Sequence, residues 1–126
     1  MFTPTIKLEH SDSRGEIYSI QLPDNRELML LHSNPGSWRG GHHHSCDEVV
    51  VVLTGKMDYW KNLHGRDIVH NLQGGETSFN SAGQIHMGHF PEDSWVMEWK
   101  LAPKGEWTQE DFEPYREAVR ASSKAA

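Results

Sequence analysis

Cysteine is nearly missing from this chain. Cys46 stands alone among 126 residues, so no disulfide can form within it. Basic residues are also scarce beside acidic ones. Twelve Lys and Arg face eighteen Asp and Glu, a net charge of -6 with histidines neutral. That balance argues against a nucleic-acid partner, whose phosphates select clustered Lys and Arg. No apolar run approaches the ~20 residues of a membrane-spanning helix, so no membrane partner is expected. Residues 1–7 lack the charged start and apolar stretch of a secretory signal, and a cytoplasmic protein is expected. Internal repeats, low-complexity stretches and linkers are missing too. One domain over residues 1–126 is expected.

Histidine, by contrast, is plentiful. Nine are present, and His42, His43 and His44 are consecutive. The triplet is internal rather than terminal, so it belongs to the protein and not to a purification tag.

Short apolar or alternating segments separated by turn residues predict an all-β sandwich or barrel. Candidate strands are 16–20, 27–32, 49–53, 57–60, 68–72, 77–80, 85–90 and 95–101, with the histidine segment as a further strand. The run 49–53 is rich in valine and suits a strand buried on both faces. His64-Gly65-Arg66-Asp67 reads as a hairpin tip. Near the C-terminus the period changes: Phe112, Tyr115 and Val119 recur at helical spacing. Thr108 with Asp111 resembles a capping box, and Pro114 marks where a regular helix begins. These signals predict a barrel core at about 12–102, a helical segment at about 108–121, and a frayed tail over 122–126.

Chemistry concentrates in two elements. The first runs Gly36, His42, His44, Glu48, Gly55, with spacers of five, one, three and six residues. Side chains two apart in a strand share a face. His42 and His44 are therefore expected to point into the barrel, with Glu48 two pleats further on the same side and His43 opposite. The second element, Gly75, Ser81-Ala82-Gly83 and His86, places another histidine at the start of a strand. If the two strands pair, three imidazole nitrogens and one carboxylate oxygen converge. That donor set suits zinc, iron, manganese, nickel or copper better than calcium or magnesium.

The first element resembles the first cupin motif, G-x5-HxH-x3-E-x6-G, at every defining position. The second is similar to the second cupin motif, G-x5-PxG-x2-H-x3-N, with Ser81 in place of proline and Phe90 in place of asparagine. The resemblance implies a double-stranded β-helix, or jelly roll, often dimeric. One divalent metal (iron, manganese, nickel or zinc) would lie inside it on His42, His44, Glu48 and His86. Small size and exposed β edges also favour a homodimer.

Asp12-Ser13-Arg14-Gly15 resembles the D-x-RG opening of sugar-nucleotide epimerases and ketoisomerases. Arg39-Gly40-Gly41-His42-His43-His44 resembles the RGxHxH stretch of dTDP-sugar 3,4-ketoisomerases. This second resemblance implies a small polar substrate, His42 and His44 as catalytic acid and base, and Arg39 as the holder of a phosphate or carboxylate. Segment 26–31 lacks the tyrosine those enzymes usually carry before the histidines. Two other readings stay open. One is a metal-dependent oxygenase or lyase of the three-histidine, one-glutamate type. The other is a non-catalytic ligand-binding or sensor cupin.

Tyr59, His89 and Trp99 are candidate pocket residues, with strand parity turning His89 away from His86. Trp38, in the stretch before His42, is a candidate to close over a ligand or meet a dimer partner. Cys46 is read as a motif spacer. His10, His32, His64 and His70 are read as surface residues.

Overall fold

The computed structural model describes residues 3–124. Eleven strands and one helix form in the order β1 (Ile6–Asp12), β2 (Gly15–Gln21), β3 (Glu27–Ser33), β4 (Ser37–His44), β5 (Glu48–Thr54), β6 (Lys56–Leu63), β7 (Arg66–Gln73), β8 (Thr77–Asn80), β9 (Ile85–Phe90), β10 (Ser94–Lys100), β11 (Gln109–Asp111) and α1 (Glu113–Lys124). Two antiparallel sheets result, one ordered β1-β2-β3-β10-β5-β8 and the other β11-β4-β9-β6-β7. The expected all-β jelly roll with a C-terminal helix is what forms.

Alternation builds the interior. β5 buries Glu48, Val50 and Val52 and leaves Val49 and Val51 half-covered. The expectation of a strand buried on both faces is corrected, because each sheet turns only one face inward. Val50, Val52, Met57, Tyr59, Phe90 and Val96 pack together between the sheets. Phe90 stands where the second motif usually has asparagine, and it fills this core at 2% exposure.

A second apolar cluster lies outside the barrel. Met87, Tyr115 and Val119 pack with Trp38, Trp60 and Phe112, so α1 covers the outer face of β4 and β9 as its spacing predicted. Trp38 belongs to this cluster, with its ring 4.5 Å from His89. The idea that Trp38 closes over a ligand is thereby overturned.

Three boundaries differ from expectation. β1 precedes the expected core start at residue 12; most of its residues are exposed, so it carries no burial alternation to read. Residues 109–111 pair with β4 as a strand instead of opening a helix. The helix starts at Glu113, with Phe112 O accepting from the amides of Tyr115 and Arg116, so neither Thr108 nor Asp111 caps it. Pro114 then falls in the first turn, where its missing N–H costs no hydrogen bond. Helix continues through Ser122 to Lys124 rather than fraying there. Residues 125 and 126 lie outside the described residues, as do Met1 and Phe2 of the segment read for a targeting signal.

Two tight turns set the register. His64 and Gly65 both have positive φ (53° and 82°), the two-residue hairpin geometry that matches strand twist. At Gly55 the chain turns from β5 into β6 with φ 90°. A Cβ there would sit 2.2 Å from Ser94 Oγ and 2.5 Å from the Asp93 carbonyl oxygen. Gly55→Ala is therefore expected to destabilise the protein by about 2 kcal/mol or more. The urea midpoint checks this, and an unchanged midpoint would show that the turn relaxes freely.

Candidate metal centre

β4 does not run straight into the site. It carries a β-bulge between Gly40 and His42. In a regular strand residues 39 and 42 would face opposite sides. The extra residue, Gly41 at φ 84°, resets the alternation, and Arg39 and His42 then line one cavity.

Beyond the bulge, His42 lies directly opposite His86 in the β4–β9 register, so both side chains leave the sheet on the same face. His44, two residues on, joins them. The ring centroids are 4.8 Å (His42–His44), 5.0 Å (His42–His86) and 5.1 Å (His44–His86) apart. One ligating atom from each of the three lies within 4.8 Å of the others. His43 points out of the barrel toward Glu110.

Glu48 arrives differently from the sequence expectation. β4 ends at His44, and residues 45–47 turn the chain into the opposite sheet. Glu48 therefore faces the histidines across the barrel instead of two pleats along the same strand. It is fully buried. Its cross-strand neighbours are Asn80 on β8 and Lys100 on β10. Asn80 Nδ2 donates to Glu48 Oε1 at 3.1 Å, and Lys100 Nζ is 3.0 Å from Oε2 as an ion pair without hydrogen-bond alignment. Oε1 is 3.4 Å from His86 Nε2, and Oε2 is 3.8 Å from His44 Nδ1.

Outer partners orient the rings. His86 Nδ1 lies 2.9 Å from the Gln84 carbonyl oxygen. A carbonyl only accepts, so Nδ1 carries the proton and Nε2 presents its lone pair to the site. His44 Nε2 lies 3.1 Å from Gln109 Oε1, which leaves Nδ1 toward Glu48. Burial, reinforced by the neighbouring histidines, lowers the His42 pKa to about 2. Burial and the Lys100 charge lower that of His44 to about 4. Both rings are thus neutral at pH 7, as metal ligation requires.

These residues fit a divalent transition metal. The donor set is three buried or half-buried imidazoles, two of them held neutral, beside a carboxylate whose Oε2 has no aligned hydrogen bond. His42, His44 and His86 are the cluster that could hold such an ion, and Glu48 lies at its edge, outside that cluster, with Oε1 3.4 Å from His86 Nε2.

The cavity beside the cluster has a volume of about 260 Å³, with Arg39, Tyr59 and Glu98 among its walls. A second chamber of about 220 Å³ shares His42, Glu98 and Gln109 with it and adds Trp107. Glu98 and Lys100 were missed by the sequence reading. Both lie on the inward row of β10 that begins with Val96, because Glu98 pairs with Val50 and Lys100 with Glu48. The signal was there: a strand with apolar residues on both faces and two charges two residues apart.

Burial, then the charge of Glu48, raises the Glu98 pKa from its ordinary value. Burial alone would lower that of Lys100, but Glu98 and Glu48 outweigh it and raise it. The same alternation turns Trp99 outward, away from both chambers, which corrects its assignment as a pocket residue. Tyr59 does line the cavity, with Asn80 Nδ2 donating to its hydroxyl at 2.6 Å. His89 faces outward and meets Asp58 at 3.1 Å. Cys46 is half-buried and outside the ligating cluster. His32 is more than a surface residue: it lies between Glu16 and Asp93 at 3.2 and 2.6 Å.

The fold is of the cupin jelly-roll type, shared with solved structures. Vicilin of hazelnut (Corylus avellana) superposes with a TM-score of 0.69 at 14% identity, over 86% of this chain and 34% of that one. Vicilin of Capsicum annuum gives 0.71 at 13% identity, over 84% and 33%. CapF of Staphylococcus aureus, a capsular polysaccharide assembling protein, gives 0.65 at 21% identity, over 81% and 30%. The chain thus spans about a third of the length of each, and likeness at this identity establishes the fold alone. No family model matches the chain, and no curated protein matches it in sequence. Among the described residues no helix is long and apolar enough to cross a membrane.

The histidine pKa values predict acid sensitivity of the metal-free protein. Below the ordinary value of 6.5 the unfolded chain takes up protons that His42 and His44 refuse in the fold, so stability falls with pH. The loss begins as pH drops through 6.5, and His44 continues to contribute down to about 4. It reaches about 1.4 kcal/mol per pH unit for each such group. Urea midpoints of chelator-treated protein at pH 7 and pH 5 check it. His44→Gln should flatten the dependence, and an equal slope in the variant refutes the assignment.

Proposed function

We propose that this cupin holds one divalent transition metal (iron, manganese, nickel or zinc) on His42, His44, His86 and Glu48. We propose further that it is an enzyme acting on a small polar substrate by proton transfer, in the manner of an isomerase or epimerase. The observation that carries this is the packing of three histidine ligating atoms within 4.8 Å, beside the buried Glu48 and open to a cavity. When bound, such an ion supplies Lewis-acid polarisation of a substrate carbonyl or hydroxyl oxygen.

The chain's own residues do the rest. Committed to ligation, His42 and His44 have no lone pair left to move protons. Glu98 then becomes the candidate base: it lines both chambers, and its raised pKa suits a group that takes a proton and returns it. It would remove a proton from the carbon beside the polarised group and deliver it to the neighbouring position or the opposite face. No oxidant is consumed. Tyr59, whose pKa is raised by burial, stays protonated and fixes the Asn80 amide that holds Glu48. Arg39 would hold an anionic part of the substrate.

Elemental analysis of the purified protein is expected to show about one metal per chain, lost in a His42→Ala, His86→Ala double variant. With hydroxyketones in deuterated water, proton exchange seen by NMR should fall about 100-fold in Glu98→Gln while metal content stays unchanged. A folded wild type without metal, or exchange that survives in Glu98→Gln, overturns the proposal. A metal-dependent oxygenase or lyase is the second reading. It is favoured by the commitment of all three histidines to one cluster, and iron-dependent oxygen uptake without proton exchange would replace the first reading with it.

The working form is proposed to be a cytoplasmic homodimer. Ile6 and Leu8 on edge strand β1 are 66% and 53% exposed, and a partner would cover them. Light scattering should give twice 14.4 kDa. A monomer mass contradicts this.

A further inference from the structure

Arg39 is 6% exposed and has no carboxylate within ion-pair distance among the described residues. Its Nε donates to Ser33 Oγ at 2.8 Å and one terminal nitrogen to the His32 carbonyl oxygen at 2.9 Å. Both acceptors are neutral. Asp12, Glu98 and Glu16 act on it only from beyond that distance, and a buried guanidinium without a directly paired carboxylate is costly. The nearby Asp12 relieves it only in part, since that carboxylate is taken up by Arg14 at 2.7 Å.

A second arginine reaches the same cavity from another element. Arg116 on α1 lines it with Arg39 and His42. One terminal nitrogen donates to the Gly40 carbonyl oxygen at 2.8 Å, inside the β4 bulge. Among the described residues its buried Nε has no hydrogen-bond acceptor, and the nearest carboxylate oxygen, on solvent-exposed Asp111, is 4.0 Å away. Gly41 makes the approach possible: a Cβ there would come within 3.0 Å of the Arg116 backbone nitrogen and its Cδ. One bulge thus turns His42 inward and seats Arg116 beside the same cavity.

We infer that Arg116, together with Arg39, forms a two-guanidinium clamp for a substrate oxyanion, a carboxylate or a phosphate, and that Arg116 determines specificity. This deepens the proposed function and rests on that reading of the cavity. The substrate is then a small anion whose charged end lies between β4 and α1 and whose reacting end reaches the histidine cluster. Bidentate guanidinium contacts match both oxyanions, so the shape of the arginine site alone does not choose between them.

The probes are inorganic phosphate and succinate, titrated into the metal-containing full chain. Affinity and the NMR signals of the arginine Nε–H groups are followed, with chloride at equal ionic strength as the control. Arg39 also ties β4 to β3, so Arg116 is the cleaner site to change. Saturable binding by one probe is expected, with the Arg39 and Arg116 signals shifting. Arg116→Gln should weaken it about tenfold or more, and Arg116→Lys by less. Tighter phosphate binding identifies a phosphate ester as the substrate class, and tighter succinate binding a carboxylate. Equal affinity in wild type and Arg116→Gln, or no saturable binding of either probe, overturns the inference. Metal content measured on the same samples separates the two proposals. A wild type that binds anion through Arg116 but lacks metal sinks only the metal centre.

Discussion

A fully buried carboxylate is the constraint around which this barrel is built. Glu48 is removed from water on the penultimate strand of a six-stranded sheet, where an unmatched charge would unfold a domain of this size. The chain answers from both flanking strands: the Asn80 amide comes from β8 and the Lys100 ammonium from β10, each directly across from Glu48. His44 and His86 face it from the opposite sheet. Such an arrangement is weak evidence for stability, since an apolar core of equal volume serves as well or better. The cation site proposed above gives the arrangement a role that stability does not.

That site carries more charge than a plain ligand set. Lys100 Nζ sits 4.9 Å from the Trp107 ring centroid as well as against Glu48, so the ring gives the ammonium a second favourable contact. Glu98 lies on the same inward row, and its proton affinity rises because burial and Glu48 both disfavour a second negative charge. Two carboxylates thus lie with one ammonium between them, and the Glu98 pKa is raised.

The Gly40-Gly41 bulge couples this interior to the outside of the fold. It breaks the alternation of β4 so that Arg39 and His42 share a cavity, and it admits α1 to near contact with the strand. The helix is therefore more than a cover for the apolar outer face. It brings Arg116 to the rim, while β11 pairs with β4 beside the histidines and places Gln109 on His44.

Much of this was legible in the residues. Spacing identified His42, His44 and His86, because side chains two apart on a strand must share a face and the glycine turns bracket them. Alternation and turn chemistry marked nine of the eleven strands, and helical period found the face of α1. β1 and β11 escaped because their exposed or polar residues carry no burial pattern. The route by which Glu48 reaches the histidines was not legible, since a three-residue turn that changes sheets looks like a strand spacer. Nor were Glu98 and Lys100, whose charges suggest solvent until the pairing of β10 with β5 turns them inward. Sequence by itself determined which donors are present and which pairs share a strand face, for those are local consequences of backbone period. Tertiary structure alone decided which charges meet across the barrel and which buried arginine lacks a directly paired carboxylate among the described residues. Those facts depend on sheet register and on burial, and no local pattern contains either.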